Sequence, residues 1–182
     1  MFTTPAEVVT PNRACICDMA VPVECAMPVY TFRRTQVVQM PLAGCWRFFS
    51  DPRNLEKITP PALRLRVQSE LPEEVHPGLM IRYTVTPLLA IRMEWLTEIT
   101  QVRRPDYFVD EQRVGPYRVW HHEHSFRRLD DARTEVSDLV HYVPPLGPLG
   151  AIINALAIRR QLDKIFAFRE TQLERLAPGE VL

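Results

Sequence analysis

The chain carries no surplus of charge. Lys+Arg and Asp+Glu each number 22, so the formal net charge is zero. No overall basic field exists to hold a nucleic-acid backbone, and nucleic acid is not expected as a partner. No apolar run is long and uninterrupted enough to span a bilayer, so stable membrane insertion is not expected either. The N-terminus has no early basic cluster and no long apolar stretch, which argues against a secretory signal and for a cytoplasmic protein. Four cysteines are present, Cys15, Cys17, Cys25 and Cys45. Their spacing matches no paired CxxC zinc pattern, and free thiols in a reducing compartment are expected. Neither GxGxxG nor GxxxxGKS/T occurs, and no repeat is visible. No cofactor is expected.

What remains is the composition of a globular domain. The 182 residues are 46% hydrophobic and 24% charged, which suits one domain with an ordinary core. Residues 1–28 read as an extension outside it, because Pro5, Pro11, Pro22 and Pro28 break every regular period. The domain is expected over residues 29–177, with 178–182 as a tail.

The domain opens with a strand over Val29–Val38. A short helix follows from Met40-Pro41, with Leu42, Cys45, Trp46 and Phe49 facing inward. Ser50-Asp51-Pro52 ends it and caps a second short helix that carries Leu55 and Ile58. Period-two alternation then predicts strands over Leu63–Leu71, Leu79–Thr86, Ala90–Val102, Tyr107–Val114, Tyr117–Leu129 and Thr134–Tyr142. Turn signals stand at Pro77-Gly78, Gly115-Pro116 and Asp130-Asp131, so these strands form an antiparallel meander.

One long helix closes the chain, from about Leu149 to about Leu176. Ala151, Ala155, Ile158, Leu162, Ile165, Phe166, Leu173 and Leu176 draw one stripe along it. Its first half adds Leu149, Ile152, Ile153 and Leu156, so that half is apolar on nearly every side. Such a helix must be buried or look into something apolar. At about 1.5 Å per residue it is roughly 40 Å long. The expected fold class is therefore α+β: a curved antiparallel sheet of about six to seven strands around a long C-terminal helix, with two short helices after the first strand. A gap between such layers is where ligand pockets form.

The residues also resemble a known family. Phe48-Phe49-Ser50-Asp51-Pro52, Asn54-Leu55 and Ile58-Thr59-Pro60-Pro61 are similar to the opening of the SRPBCC (START/Bet v 1-like) superfamily. Trp95-Leu96-Thr97-Glu98-Ile99, Phe108-Val109-Asp110-Glu111-Gln112, Gly115-Pro116-Tyr117 and Trp120–Phe126 fit its bacterial polyketide cyclase/dehydrase-like, ligand-binding branch. So do Asp138–Tyr142 and Pro144–Gly150. The resemblance covers about residues 30–176. It implies a helix-grip fold whose cavity binds lipids, sterols, polyketides or other apolar molecules, and some members are enzymes.

The histidines carry the sharpest chemistry. In a strand, side chains alternate faces, so Trp120, His122, His124 and Phe126 share one face. Val136, Asp138, Val140 and Tyr142 share a face of the last strand. If both faces look inward, Asp138 stands near His122 or His124, since cross-strand neighbours are about 5 Å apart. Three readings follow: a His–Asp general acid/base, a metal held by two histidines and a carboxylate, or a buried polar network that orients a ligand or knits the sheet. The network is favoured over catalysis, and no metal is expected. Asp110 and Gln112 share a face of their strand, and a hydrogen-bonded strand end is the simpler account of them. Pro144–Gly150 reads equally as a gate over the cavity mouth or as a stiff connector. Arg159, Arg160 and Lys164 read as a solvated helix face.

The expected function is binding of a hydrophobic or amphipathic small molecule. Met93, Trp95, Trp120, Phe126, Tyr142, Ile152, Ile153 and Leu156 are the expected apolar wall. His122, His124 and Asp138 are expected to orient one polar end of the guest. The alternative is a cyclase or dehydratase acting on a polyketide-like substrate, with His122 or His124 as general base. The oligomeric state is open.

Overall fold

The computed structural model describes residues 28–86, 91–145 and 148–176. The expected extension with Cys15, Cys17 and Cys25, and the tail at 178–182, lie outside the described residues, as do Leu146 and Gly147 of the connector. The side chains of Ala151, Ala155 and Leu156 also lie outside them.

Seven strands form one antiparallel, curved sheet. They are β1 (Tyr30–Val38), β2 (Arg66–Val67), β3 (Met80–Val85), β4 (Met93–Arg103), β5 (Tyr107–Val114), β6 (Val119–Arg128) and β7 (Thr134–Val143). Their order across the sheet is β1-β7-β6-β5-β4-β3-β2. β7 closes back on β1, with Tyr30 opposite Tyr142 and Val38 opposite Thr134. Register shifts at Leu96/Thr97 and Ile99/Gln101 interrupt the β4–β5 ladder. Irregularities of that kind bend a strand and sharpen its twist, which curls the sheet toward its inner face.

Between β1 and β2 lie α1 (Leu42–Ser50) and two 3-10 turns, Pro52–Glu56 and Pro61–Leu63. Pro41 is the N-cap of α1. Asp51 caps the first 3-10 turn, its side chain accepting from the Arg53 backbone N–H at 3.0 Å. Only two residues of the strand expected over Leu63–Leu71 pair in the sheet. Leu63 belongs to a 3-10 turn, and Arg64 takes a left-handed φ of 46°. A left-handed residue cannot continue a pleated strand, so the alternation of Leu63, Leu65 and Val67 overstates the regular structure there.

The C-terminal helical segment comprises α2 (Pro148–Ile153), a π turn (Asn154–Ile158) and α3 (Arg159–Arg175). Asn154 is buried in the π turn and its Oδ1 accepts from the Tyr142 hydroxyl at 2.8 Å. Ile158, Leu162, Phe166 and Leu173 bury the predicted stripe against the sheet. Arg34 of β1 pairs with Glu170 on the flank of α3. The first turns behave differently from the sequence expectation. Leu149 and Ile152 are about three-fifths exposed, at 62% and 58%, and Ile153 packs against the core. This is a helix-grip arrangement with the grip concentrated on α3. No described helix is long and apolar enough to cross a membrane.

Two clusters make up the core. One gathers Trp46, Phe48 and Phe49 of α1 with Phe108 and Phe126 of the sheet. Trp46 stands edge-on to Phe108 and Phe126, and its indole N–H donates to Glu74 at 2.6 Å. The other joins Phe32, Trp120, Val140 and Tyr142 to Ile158, Leu162 and Phe166. Each fully buried side chain of this size contributes about 1.5–3 kcal/mol.

Candidate functional site: a hollow ending in two histidines and two aspartates

A cavity of about 180 Å³ lies between the sheet, α3 and the segment after α1. Ile81, Trp95, Thr97, Ile99 and Trp120 give it a sheet wall. Leu162, Ile165 and Phe166 give it a helix wall, and Phe49, Leu55 and Ile58 line the third side. Asp110, His122, His124 and Arg169 supply its main cluster of ionisable groups.

The sheet places these groups by register. β6 runs between β5 and β7, with Asp110 opposite His122 and His124 opposite Asp138. The two imidazoles lie one above the other, ring centroids 3.8 Å apart. His122 Nε2 hydrogen-bonds Asp138 Oδ1 at 3.0 Å, and its Nδ1 stands 3.3 Å from Asp110 Oδ2. His124 Nε2 hydrogen-bonds the same Asp110 oxygen at 2.9 Å. His124 Nδ1 is 2.9 Å from Asp138 Oδ1 but off the line a hydrogen bond needs, so that buried nitrogen lacks a hydrogen bond. From the helix side, Arg169 Nη1 donates to Asp138 Oδ1 at 3.0 Å. The Arg169 guanidinium also lies over the Phe166 ring, 4.7 Å from its centroid.

Burial opposes the charge on Asp110, Asp138 and His122, and the neighbours overcome it. Burial pushes the Asp110 carboxyl up, but the charge on His122 and hydrogen bonds from both histidines hold it well below the usual carboxylate range. Burial likewise works against ionised Asp138, and Arg169 with the two histidines holds it well below that range. Burial lowers His122, yet Asp110 and Asp138 together raise it above its ordinary value. With His122 charged, two carboxylates face two cations, and the desolvated cluster is balanced.

These shifts set a pH profile for metal-free protein. A raised His122 contributes stability that is full below its unfolded value of 6.5 and lost as pH rises through its folded value. The lowered aspartates contribute stability present above 3.8 and lost as pH falls toward their folded values. Maximal stability is therefore expected between those two values. Urea midpoints measured at pH 3, 5.5 and 8, on the order of those limits, should peak at the middle one. A midpoint that keeps rising to the alkaline value contradicts this assignment.

The histidine face follows the sequence expectation: Trp120, His122, His124 and Phe126 are all buried, as are Val136, Asp138, Val140 and Tyr142. Trp95, Trp120, His122 and His124 border the cavity. Asp138 sits behind the histidines. Phe126 belongs to the Trp46 cluster, Tyr142 to the π turn, and Met93 is half-buried opposite Val85. Ile152 points outward, Ile153 is half-buried, and the Leu156 side chain is outside the described set.

Sequence reasoning left two members out of this cluster. Asp110 reads as a strand end, and Arg169 attracts no notice. Arg169 does carry a signal, because it stands on the apolar stripe of Ile158, Leu162, Phe166 and Leu173, where a cation needs a partner. Gln112 does knit the hairpin end, donating to the Tyr117 carbonyl at 2.6 Å. Cys45 is free and buried, and burial, aided by the Asp138 charge, pushes its thiol up to about 12. That thiol is no nucleophile at neutral pH.

A curled sheet gripping α3 across a polar-ended hollow is the helix-grip fold. A family model for polyketide cyclase / dehydrase and lipid transport proteins matches residues 38–166, and the chain belongs to that family. No curated protein matches it by sequence. Among solved structures it is similar to the Zhui aromatase/cyclase from Streptomyces sp. R1128, at 15% identity and TM-score 0.61, covering 84% of this chain and 99% of that one. It is also similar to a START superfamily protein from Mycobacterium smegmatis, at 13% identity and TM-score 0.60, covering 81% and 99%. Norcoclaurine synthase from Thalictrum flavum gives 12% identity and TM-score 0.62, covering 84% and 96%. Likeness at these identities is likeness of fold.

Proposed function

We propose that the protein binds a hydrophobic or amphipathic small molecule, lipid-, sterol- or polyketide-like, in the cytoplasm. The observation that carries this is the hollow itself, largely apolar around its wall with a charged cluster at one place. A hollow of about 180 Å³ is of the size that holds one aromatic ring. A larger guest would seat a ring or a chain end there and extend beyond it. His122, His124 and Asp110 then meet the polar atom of that end, while Asp138 and Arg169 hold the histidines in place. The family description, which joins cyclases and dehydrases to lipid transport, supports this class of guest.

A second reading is an enzyme of the cyclase or dehydratase kind. The specific observation for it is that two imidazoles border the hollow, each with a carboxylate against its far nitrogen. His122 or His124 would be the general base. Native mass spectrometry of the chain purified from its own host tests both. A co-purifying apolar molecule is expected on the unsubstituted protein, and His124→Gln should retain it unaltered. A chemically different, uncyclised molecule on His124→Gln would favour the enzyme. Protein that emerges empty, and stays empty when offered apolar compounds, would defeat both.

A further inference from the structure

The cluster in the wall of the hollow gathers two imidazoles and a carboxylate, the donor types of a transition-metal site. Three ligand atoms, one each from Asp110, His122 and His124, lie within 4.8 Å of one another. No second group of this kind occurs among the described residues. Metal–ligand bonds of about 2.1 Å place neighbouring ligand atoms about 3.0–3.4 Å apart in tetrahedral or octahedral sites. Two of the three edges are already close to that spacing: His122 Nδ1 to Asp110 Oδ2 at 3.3 Å, and His124 Nε2 to the same oxygen at 2.9 Å.

The rear of the cluster is built in the same sense. The other nitrogen of each imidazole faces a single atom, Asp138 Oδ1, at 3.0 Å from His122 and 2.9 Å from His124. Arg169 anchors that oxygen from α3 at 3.0 Å. A carboxylate behind a histidine fixes its tautomer, leaving the front nitrogen's lone pair for a cation. Asp138 does this for His122 by a hydrogen bond, and stands 2.9 Å from His124 Nδ1 without one. The front is reachable, since Asp110 keeps 16% of its side chain accessible and borders the hollow, while Asp138 keeps 3%.

We propose that Asp110, His122 and His124 bind one divalent first-row transition ion, Zn²⁺ or Co²⁺ in type, in the wall of the hollow. Two imidazoles and one carboxylate suit such ions better than the hard Mg²⁺ or Ca²⁺. Three protein ligands leave the side toward the hollow open. If the guest proposed above binds, its oxygen completes the coordination there, but the ion site does not depend on the guest.

The test uses the full chain with Cys15→Ser, Cys17→Ser and Cys25→Ser, stripped by chelator, so that thiolates cannot compete. Titration with Co²⁺ should give visible ligand-field bands that saturate at one equivalent. In imidazole ¹⁵N spectra with Zn²⁺, His122 Nδ1 and His124 Nε2 should shift, while His76, His121 and His141 stay in place. Asp110→Asn should bind about a hundredfold more weakly. No saturable Co²⁺ signal, a response at His76, His121 or His141 instead, or equal affinity in folded Asp110→Asn would overturn the site. Should Asp110→Asn fail to fold, the ¹⁵N spectra of the unsubstituted histidines decide alone.

Discussion

Arg169→Met is expected to cost about 3–5 kcal/mol of folding stability, close to the whole margin of a marginally stable domain. Arg169 is 6% exposed and its partner Asp138 is 2% exposed, so neither charge can turn to water. Methionine keeps much of the volume and the contact with Phe166, and removes only the charge and its donors. Asp138 would then be a buried carboxylate facing one cation fewer. The cost should fall when Asp138 is neutralised too, so Arg169→Met with Asp138→Asn should be more stable than Arg169→Met alone. Urea denaturation of the four proteins in that cycle measures the coupling. A single substitution costing less than about 1 kcal/mol, the scale of an exposed pair, would show that the Asp138 charge is not held by Arg169.

Phe166→Ala should cost a similar amount, about 3–5 kcal/mol, by a different route. The Phe166 ring is 3% exposed and touches three things at once. It packs on Phe32 with centroids 4.8 Å apart, stands edge-on to His122 at 5.9 Å, and lies beneath the Arg169 guanidinium. Truncation removes one wall of the hollow as well as core contacts, so the space between the sheet and α3 enlarges. Thermal unfolding should drop, and an apolar dye too large for the native hollow should bind more tightly to the variant. An unchanged dye affinity alongside lost stability would mean that the walls collapse inward.

How far the fold can be read ahead depends on the clarity of each local period. β3 to β7 fall within a few residues of their expected bounds, and in β6 and β7 the buried and less buried positions alternate cleanly. β2 is the exception, since Leu63 to Val67 alternate in sequence while Arg64 turns left-handed. The inward histidines are legible for the same reason as the strands: period two puts His122 and His124 beside Trp120. Asp138 is legible because its strand also alternates. Asp110 is not, because joining it to the histidines requires the register of β5 on β6, which no local pattern contains. Arg169 requires the packing of one layer on another. The apolar first turns of the helix mislead most, since Leu149 and Ile152 face outward while the hollow lies against α3.

The π turn at Asn154–Ile158 adds a rotational offset between the two halves of the segment. A widened turn inserts one residue into the winding, and one residue of an α-helix is about 100° of rotation. Leu149, Ile152 and Ile153 therefore sit at an azimuth shifted from the one that the buried stripe of α3 projects backwards. A straight-helix wheel drawn through the whole segment therefore misaligns the early turns with the buried stripe of α3. The Tyr142 hydroxyl donates to Asn154 at the start of that turn, so the last strand is tied to the point where the two halves change phase.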